Sequence, residues 1–205
     1  MILLCPRVHR SEAPIGVILA GGLGRRIGGA KAGVELRGRP LISYPLQALR
    51  EALADVVILA KADTELPSVG GVPVWIEPAS PRHPLTGIVH ALDRAAGRGV
   101  LVCAADMPFV TPALVSLIVR TDPRGAPAVV PTCGGELQPL LALYLPAAAA
   151  ALDPGAAVAA RPLRREVAAI GPRLLEVEDS RAFVNVNTPE DLMRAAAALD
   201  APTRR

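Results

Sequence analysis

Apolar positions fall in this chain as short continuous runs separated by segments of helical period, the alternation expected of a parallel sheet whose strands are buried on both faces. Ile15 to Ala20, Asp55 to Ala60 and Gly99 to Ala105 are such runs, too short for buried helices and best read as strands. Between the first two, Leu41, Ile42, Pro45, Leu46, Leu49 and Leu53 recur near helical spacing. They predict an amphipathic helix over 40–53, opened by Pro40. Val72 to Glu77 reads as another strand, and Pro73 puts it at an edge or an end, because proline cannot donate to a ladder. A proline-rich loop, 78–84, then leads to a helix over 85–96 with Leu85, Ile88, Val89, Leu92 and Ala96 on one face. The run 99–105 is the most evenly apolar and belongs at the centre of the sheet.

Downstream, Thr111-Pro112 has the cap and first-turn pairing of a helix that reaches about Arg120. Residues 126–130 and 140–144 are further strand candidates, joined through Cys133-Gly134-Gly135-Glu136, and the alanine run 147–151 is helical by propensity. Residues 153–172 carry little pattern. Leu174 to Val177 and Ala182 to Asn187 alternate like two short strands, and Thr188-Pro189-Glu190-Asp191 opens a terminal helix ending near Leu199. The expected fold is therefore α/β and Rossmann-like: a mainly parallel sheet with helices on both faces. Residues 15–199 read as one domain, 1–14 as a loose leader and 200–205 as a frayed tail.

Composition narrows this picture. Of 205 residues 51% are apolar, yet only five are Trp, Tyr or Phe, so the core is aliphatic and stacking platforms for single-stranded nucleic acid are scarce. A net charge of +3 without a basic block suits anionic small molecules and argues against nucleic acid. No run approaches a membrane span. Cys5, Cys103 and Cys133 are widely separated and odd in number, which points to a reducing, cytoplasmic setting and away from structural zinc.

The candidate chemistry starts where the first strand ends. Leu19-Ala20-Gly21-Gly22-Leu23-Gly24-Arg25-Arg26 and, further on, Lys31 follow an apolar strand with glycines and then cations. Glycines let backbone N–H groups converge on an anion, and Arg25, Arg26 and Lys31 can offset triphosphate charge. The spacing matches neither a Walker A loop nor a dinucleotide fingerprint; a glycine-rich surface turn is the plainer alternative. Asp106, in Asp106-Met107-Pro108, closes the central strand on the same rim. One carboxylate there serves magnesium when phosphates and water complete its shell, or else it caps a turn. Asn185 and Asn187 share one side of the expected strand, available to a polar ligand or to an Asx turn. Arg161, Arg164 and Arg165 form either a solvated face or an anion contact. His83 reads as a loop histidine with a possible ligand contact, and His90 as structural.

Taken together, Leu19-Ala20-Gly21-Gly22 through Lys31, Pro40-Leu41, Asp106-Met107-Pro108, Gln138-Pro139-Leu140 and Phe183-Val184-Asn185-Val186-Asn187-Thr188-Pro189-Glu190 resemble the molybdenum cofactor guanylyltransferase (MobA) family of nucleotidyltransferases. The resemblance spans residues 15 to about 199. It implies a nucleotidyltransferase fold and transfer of GMP from GTP to molybdopterin-bound molybdenum cofactor, with magnesium and release of pyrophosphate. It further implies nucleotide contacts at Leu19, Ala20, Gly21 and Gly22, phosphate contact at Lys31, a catalytic charge at Arg25, and metal and nucleotide contacts at Asp106. Asn185 and Asn187 would lie near the pterin-side substrate or the metal, and proteins of the cofactor pathway are implied partners. The family tends to carry an asparagine just past the second strand and an acid just past the third; here those places read Leu59-Ala60-Lys61 and Glu77-Pro78, with Glu77 the substitute acid. His83-Pro84-Leu85 stands where the family has Gly-Pro-Leu. Because these positions concern nucleotide recognition, a cytidylyltransferase, a transferase for another phosphorylated acceptor and a nucleotide-binding accessory protein without turnover remain alternatives.

Overall fold

The computed structural model describes residues 13–21 and 34–200 of the chain. In chain order its first half comprises β1 (Ile15–Leu19), β2 (Glu35–Leu36), β3 (Arg39–Pro40), α1 (Ser43–Ala52), β4 (Val56–Ala60), β5 (Val74–Ile76), α2 (Pro84–Arg94) and β6 (Val100–Ala104). There follow α3 (Pro112–Arg120), β7 (Ala128–Cys133), β8 (Glu136–Leu137), β9 (Leu141–Tyr144), the short helices α4 (Ala148–Ala151), α5 (Pro154–Val158) and α6 (Leu163–Ala169), β10 (Arg173–Glu176), a 3-10 turn over Ser180–Phe183, and α7 (Pro189–Asp200).

The main sheet has the order β10-β7-β9-β6-β1-β4-β5, with β8 paired to β7. β6 is central, as its even apolarity predicts, and β5 is an edge strand, as Pro73 predicts. β1 lies parallel between β4 and β6, and β5 lies parallel to β4. β9 runs antiparallel to both β6 and β7, so the sheet is mixed but mostly parallel.

Alternation along the strands divides the core into two layers. Val17, Val57, Leu59, Val100 and Val102 face Leu85, Ile88 and Leu92 of α2, with Ala148, Ala156 and Val167 from α4, α5 and α6 beside them. Ile18, Ile58, Leu101 and Cys103 face the other way, onto Leu46 and Leu49 of α1 and Leu114, Val115 and Ile118 of α3. Helices therefore cover both faces. Thr111 caps α3 as its sequence predicts, accepting from Leu114 N at 3.2 Å.

Three expectations are corrected. Pro40 does not open a helix: Arg37 and Gly38 take positive φ, the chain reverses, and Pro40 ends the hairpin strand β3. The helix begins instead at Ser43, because Leu36 and Leu41 bury together with Val186 and Ala195 in a third, smaller cluster. Ala96 is not on the buried face of α2. The helix ends at Arg94, the buried Ala95 completes its apolar stripe, and Ala96 is exposed with φ 50°. Residues 182–187 form no strand: Ala182 and Phe183 are buried consecutively in the 3-10 turn, which a half-buried strand cannot do. Asn185 and Asn187 thus do not share a strand face. Arg161, Arg164 and Arg165 do not line the cleft at the carboxyl ends of the strands. All three are exposed, with Arg161 paired to Asp153 and Glu166 and Arg164 to Glu136.

Truncating a side chain at the junction of strand and helix layers tests this packing. Leu101 is fully buried in the central strand, and Leu101→Ala is expected to lower stability by about 2–5 kcal/mol. In urea denaturation this appears as a lower midpoint at unchanged slope.

Candidate active site

The registers of β1, β4, β5 and β6 determine where their exits fall. Leu19 pairs with Leu59 on one side and Ala104 on the other, and Ala60 pairs with Ile76. Continued past the last paired residues, these registers bring Asp106, Gly21, Lys61 and Glu77 to one level across four adjacent strands. Backbone bonds beyond the strands hold the row: Ala20 N donates to Leu59 O at 2.8 Å, Ala105 N to Leu19 O at 3.1 Å, and Glu77 N to Ala60 O at 2.9 Å.

A cleft of about 210 Å³ opens on this rim, with Leu19, Ala20, Gly21, Glu77 and Asp106 in its lining. Five residues predicted for nucleotide contact are thereby brought together. Gly22, Arg25 and Lys31 lie outside the described residues. Lys61, Arg82, His83, Pro84, Ala104, Ala105 and Leu140 complete the walls. Asp106 is 7% exposed. Among the described residues no group of three or more His, Cys, Asp or Glu side chains is arranged to hold a metal ion, and no helix is long and apolar enough to cross a membrane.

Lys61 and Glu77, one from each stretch that departs from the family pattern, meet. Lys61 Nζ stands 3.4 Å from Glu77 Oε1 and donates to Pro78 O at 2.5 Å, with the two side chains 2% and 8% exposed. Burial pushes the Glu77 carboxyl above the ordinary carboxylate range; the charge and hydrogen bond of Lys61, then His90 and Arg82, pull it back. Two glycines make room for this carboxylate. A Cβ on Gly21 would overlap Glu77 Oε1, and one on Gly87 would sit 3.2 Å from Oε2. Lys61 is the site residue that residue type alone did not reveal. Its signal was position: it leaves β4 at the level where Gly21 leaves β1.

His83 does more than occupy a loop. It lines the cleft and caps α2, its Nδ1 accepting from Leu85 N at 3.2 Å, so that in the neutral ring Nε2 carries the proton. Arg82, on the cleft wall, pairs with Asp63. His90 sits half-buried on α2 with Nε2 unpartnered among the described residues.

The asparagine segment is outside the cleft lining but tied to it. Val186 N donates to Asp106 O at 2.9 Å. Asn185 Nδ2 donates to Phe183 O at 3.3 Å, and its buried Oδ1 has no partner among the described residues. Beyond it, Asp191 Oδ2 accepts from Asn187 N and Thr188 N at 3.0 Å each, while Thr188 Oγ1 accepts from Asp191 N at 3.1 Å. This reciprocal cap starts α7. The Asn187 N–H foremost holds the Asp191 carboxyl below its ordinary range.

A glycine at the exit of β1, a rim carboxylate and a mostly apolar-walled cleft at the carboxyl ends of parallel strands are the features of an α/β nucleotide-binding protein. Comparison with known sequences gives the particular family. Residues 16–177 match the model of the MobA-like NTP transferase domain, and the chain belongs to that family. It is 36% identical over 188 residues to a molybdenum cofactor guanylyltransferase of Cereibacter sphaeroides, a match covering 90% of this chain and 96% of that protein. Among solved structures, molybdopterin-guanine dinucleotide biosynthesis protein A from Archaeoglobus fulgidus superposes with a TM-score of 0.72 at 27% identity, covering 90% and 98% of the two chains. The 2-C-methyl-D-erythritol 4-phosphate cytidylyltransferase of Thermus thermophilus shares the fold, with a TM-score of 0.66 at 21% identity over 93% of this chain and 100% of that one.

The raised Glu77 carboxyl carries a sign that can be measured. A group whose folded pKa exceeds its unfolded one contributes stability that is full below the unfolded value and lost as pH rises through the folded value. Relative to Glu77→Gln, the wild-type chain should therefore gain stability as pH falls from about 7 to about 4. Urea titrations of both proteins at the two pH values check this; a flat or opposite difference contradicts the burial effect.

Proposed function

We propose that this chain transfers GMP from GTP to molybdopterin-bound molybdenum cofactor, forming the guanine dinucleotide cofactor and releasing pyrophosphate. The observation that carries this reading is the row of strand exits, Asp106, Gly21, Lys61 and Glu77, opening into one cleft in a chain so similar to the Cereibacter guanylyltransferase. In the reaction a phosphate oxygen of the acceptor attacks the α-phosphorus of GTP, the bond from that phosphorus to the β-bridging oxygen breaks, and pyrophosphate departs. No nucleophilic side chain is needed. The protein's task is alignment and charge stabilisation.

Leu19, Ala20 and Gly21 form the floor on which the nucleotide lies. Gly21 lets backbone approach it, and a Cβ there would displace the Glu77 carboxylate. Asp106 suits magnesium: a single carboxylate at the end of β6, where phosphates and water would complete the octahedral shell. Bound there, the ion would neutralise charge on the phosphate oxygens. Arg25 and Lys31 follow the glycines in sequence and are assigned to the triphosphate. Asn185 and Asn187 are assigned to the pterin side, a role supported by the bond that fastens their segment to Asp106. Proteins that deliver the pterin are the expected partners, and the cytoplasm the expected compartment.

Pyrophosphate release, measured with GTP or CTP, magnesium and molybdopterin cofactor, tests the assignment. Turnover should require magnesium and favour GTP; preference for CTP overturns guanylyl transfer. Asp106→Ala should abolish turnover while leaving the circular dichroism spectrum unchanged, and an active variant removes Asp106 from the metal site. Lys31→Ala should weaken GTP binding roughly tenfold or more, the scale of one charge-assisted hydrogen bond, as read by calorimetric titration.

A further inference from the structure

We propose that the cleft between α1 and the segment 66–70 is a second binding site, for a diphosphate group, with Arg39 and Arg50 as its anion contacts. The inference is independent of the nucleotidyl-transfer reading. This cleft, of about 370 Å³, shares no lining residue with the one that holds Asp106. Its polar lining is Arg39, Ser43, Gln47, Arg50, Glu51 and Ser68.

The first argument is convergence. Arg39 belongs to the hairpin strand β3, yet its guanidinium reaches along α1: it donates to Gln47 Oε1 at 3.0 Å and stands over the Tyr44 ring, 4.8 Å from the centroid. Arg50 follows Gln47 by three residues on that helix, so its side chain starts one turn, about 5 Å, further along the same face. It donates to Gly70 O, at the end of the facing segment, at 2.9 Å. Two guanidinium groups, one delivered by a hairpin and one by a helix, therefore line a single cleft.

The second argument is unmet capacity. A guanidinium presents five N–H donors in a fixed fork. Among the described residues each of these two makes one hydrogen bond, to a neutral acceptor, and neither is paired to a carboxylate. The carboxylate in the lining, Glu51, accepts from Gln47 Nε2 at 2.9 Å. That bond turns the Gln47 amide oxygen toward Arg39, since only this orientation serves both neighbours. Glu51 thus aims the Arg39 guanidinium without pairing with it. Ser43, one turn before Gln47, adds a hydroxyl with no partner among the described residues.

The third argument is charge. Two fixed cations and one carboxylate leave the lining with an excess of one positive charge. A monoanion gains little there, because Glu51 opposes it at short range. A diphosphate carries several negative charges over two linked tetrahedra, enough to outweigh Glu51 and enough oxygens to occupy both forks. A carboxylate fills one fork and leaves the other empty.

Calorimetric titration without magnesium, with pyrophosphate, inorganic phosphate, GDP and succinate as probes, tests this. Pyrophosphate should bind the wild-type chain more tightly than phosphate, and phosphate more tightly than succinate; equal binding of the three, or no binding up to about 1 mM, overturns the proposal. Arg39→Gln and Arg50→Gln should each weaken pyrophosphate roughly two- to fivefold, the scale of an exposed ion pair, and the double variant should weaken it further. Glu51→Gln, which keeps an acceptor for Gln47, should strengthen it. Asp106→Ala should leave this binding in place. Binding indifferent to Arg39 and Arg50 but lost in Asp106→Ala belongs to the active site and overturns the second one. Where the dependence on Arg39 and Arg50 extends to GDP, the diphosphate is taken on a nucleoside; where it is confined to pyrophosphate, it is taken free. Arg39, Arg50 and Glu51 are exposed, so these changes leave the core intact. Crystals of the wild-type chain soaked in pyrophosphate decide even where a variant fails to fold: density between Arg39 and Arg50 supports the site, and density confined to the Asp106 cleft removes it.

Discussion

Everything at the site depends on the shared register of four parallel strands. β5, β4, β1 and β6 end within one residue of a common level, so the first or second residues beyond them form a row rather than a scatter. The hydrogen-bond ladder sets that level, and the ladder is held by aliphatic packing on both faces, with Val17, Ile18, Ile58, Leu59, Leu101 and Val102 fully buried. A one-residue slip in any of these strands would exchange the two core layers. The position of the chemistry is thus enforced by the hydrophobic core, although no core residue takes part in it.

Within that row, the costliest feature is the pair Lys61 and Glu77. Removing two charges from water is unfavourable, and their attraction compensates only when other partners complete their hydrogen bonds. Lys61 has Pro78 O; Glu77 has little beyond Lys61. Both neighbouring glycines leave room for the carboxylate, so four positions at three strand exits and on a helix bear on one charged group. The pair therefore sits beside the cleft with hydrogen-bonding capacity to spare.

The carboxyl-terminal segment meets the row from the other end. Phe109, just beyond Asp106, lies under the Arg181 guanidinium at 4.7 Å, and Val186 N bonds to Asp106 O. Val186 also buries against Leu36, Leu41 and Ala195. The hairpin β2–β3, the start of α7 and the Asp106 turn are therefore packed as one unit, which couples the asparagine segment to the strand exit that carries the rim carboxylate.

By itself the sequence determined the layers of this protein. Short aliphatic runs, helical-period segments between them and caps such as Thr111 are local patterns, and the central place of 100–104 and the edge place of 74–76 follow from even apolarity and from Pro73. The glycine exit, Asp106 and the asparagine stretch were legible as candidate chemistry because residue type and order suggest it. The tertiary structure decided what depends on long-range contact. Pro40 turned from helix to hairpin because Leu36 and Leu41 bury against Val186, some 150 residues away in the chain. The stretch 182–187 left strand geometry because Ala182 and Phe183 both face the core and Val186 bonds to Asp106. Leu59-Ala60-Lys61 and Glu77-Pro78 looked in sequence like two separate departures from a family pattern. Parallel register sets Lys61 and Glu77 side by side on adjacent strands, and register is a property of the assembled sheet that neither residue's neighbours in the chain can specify.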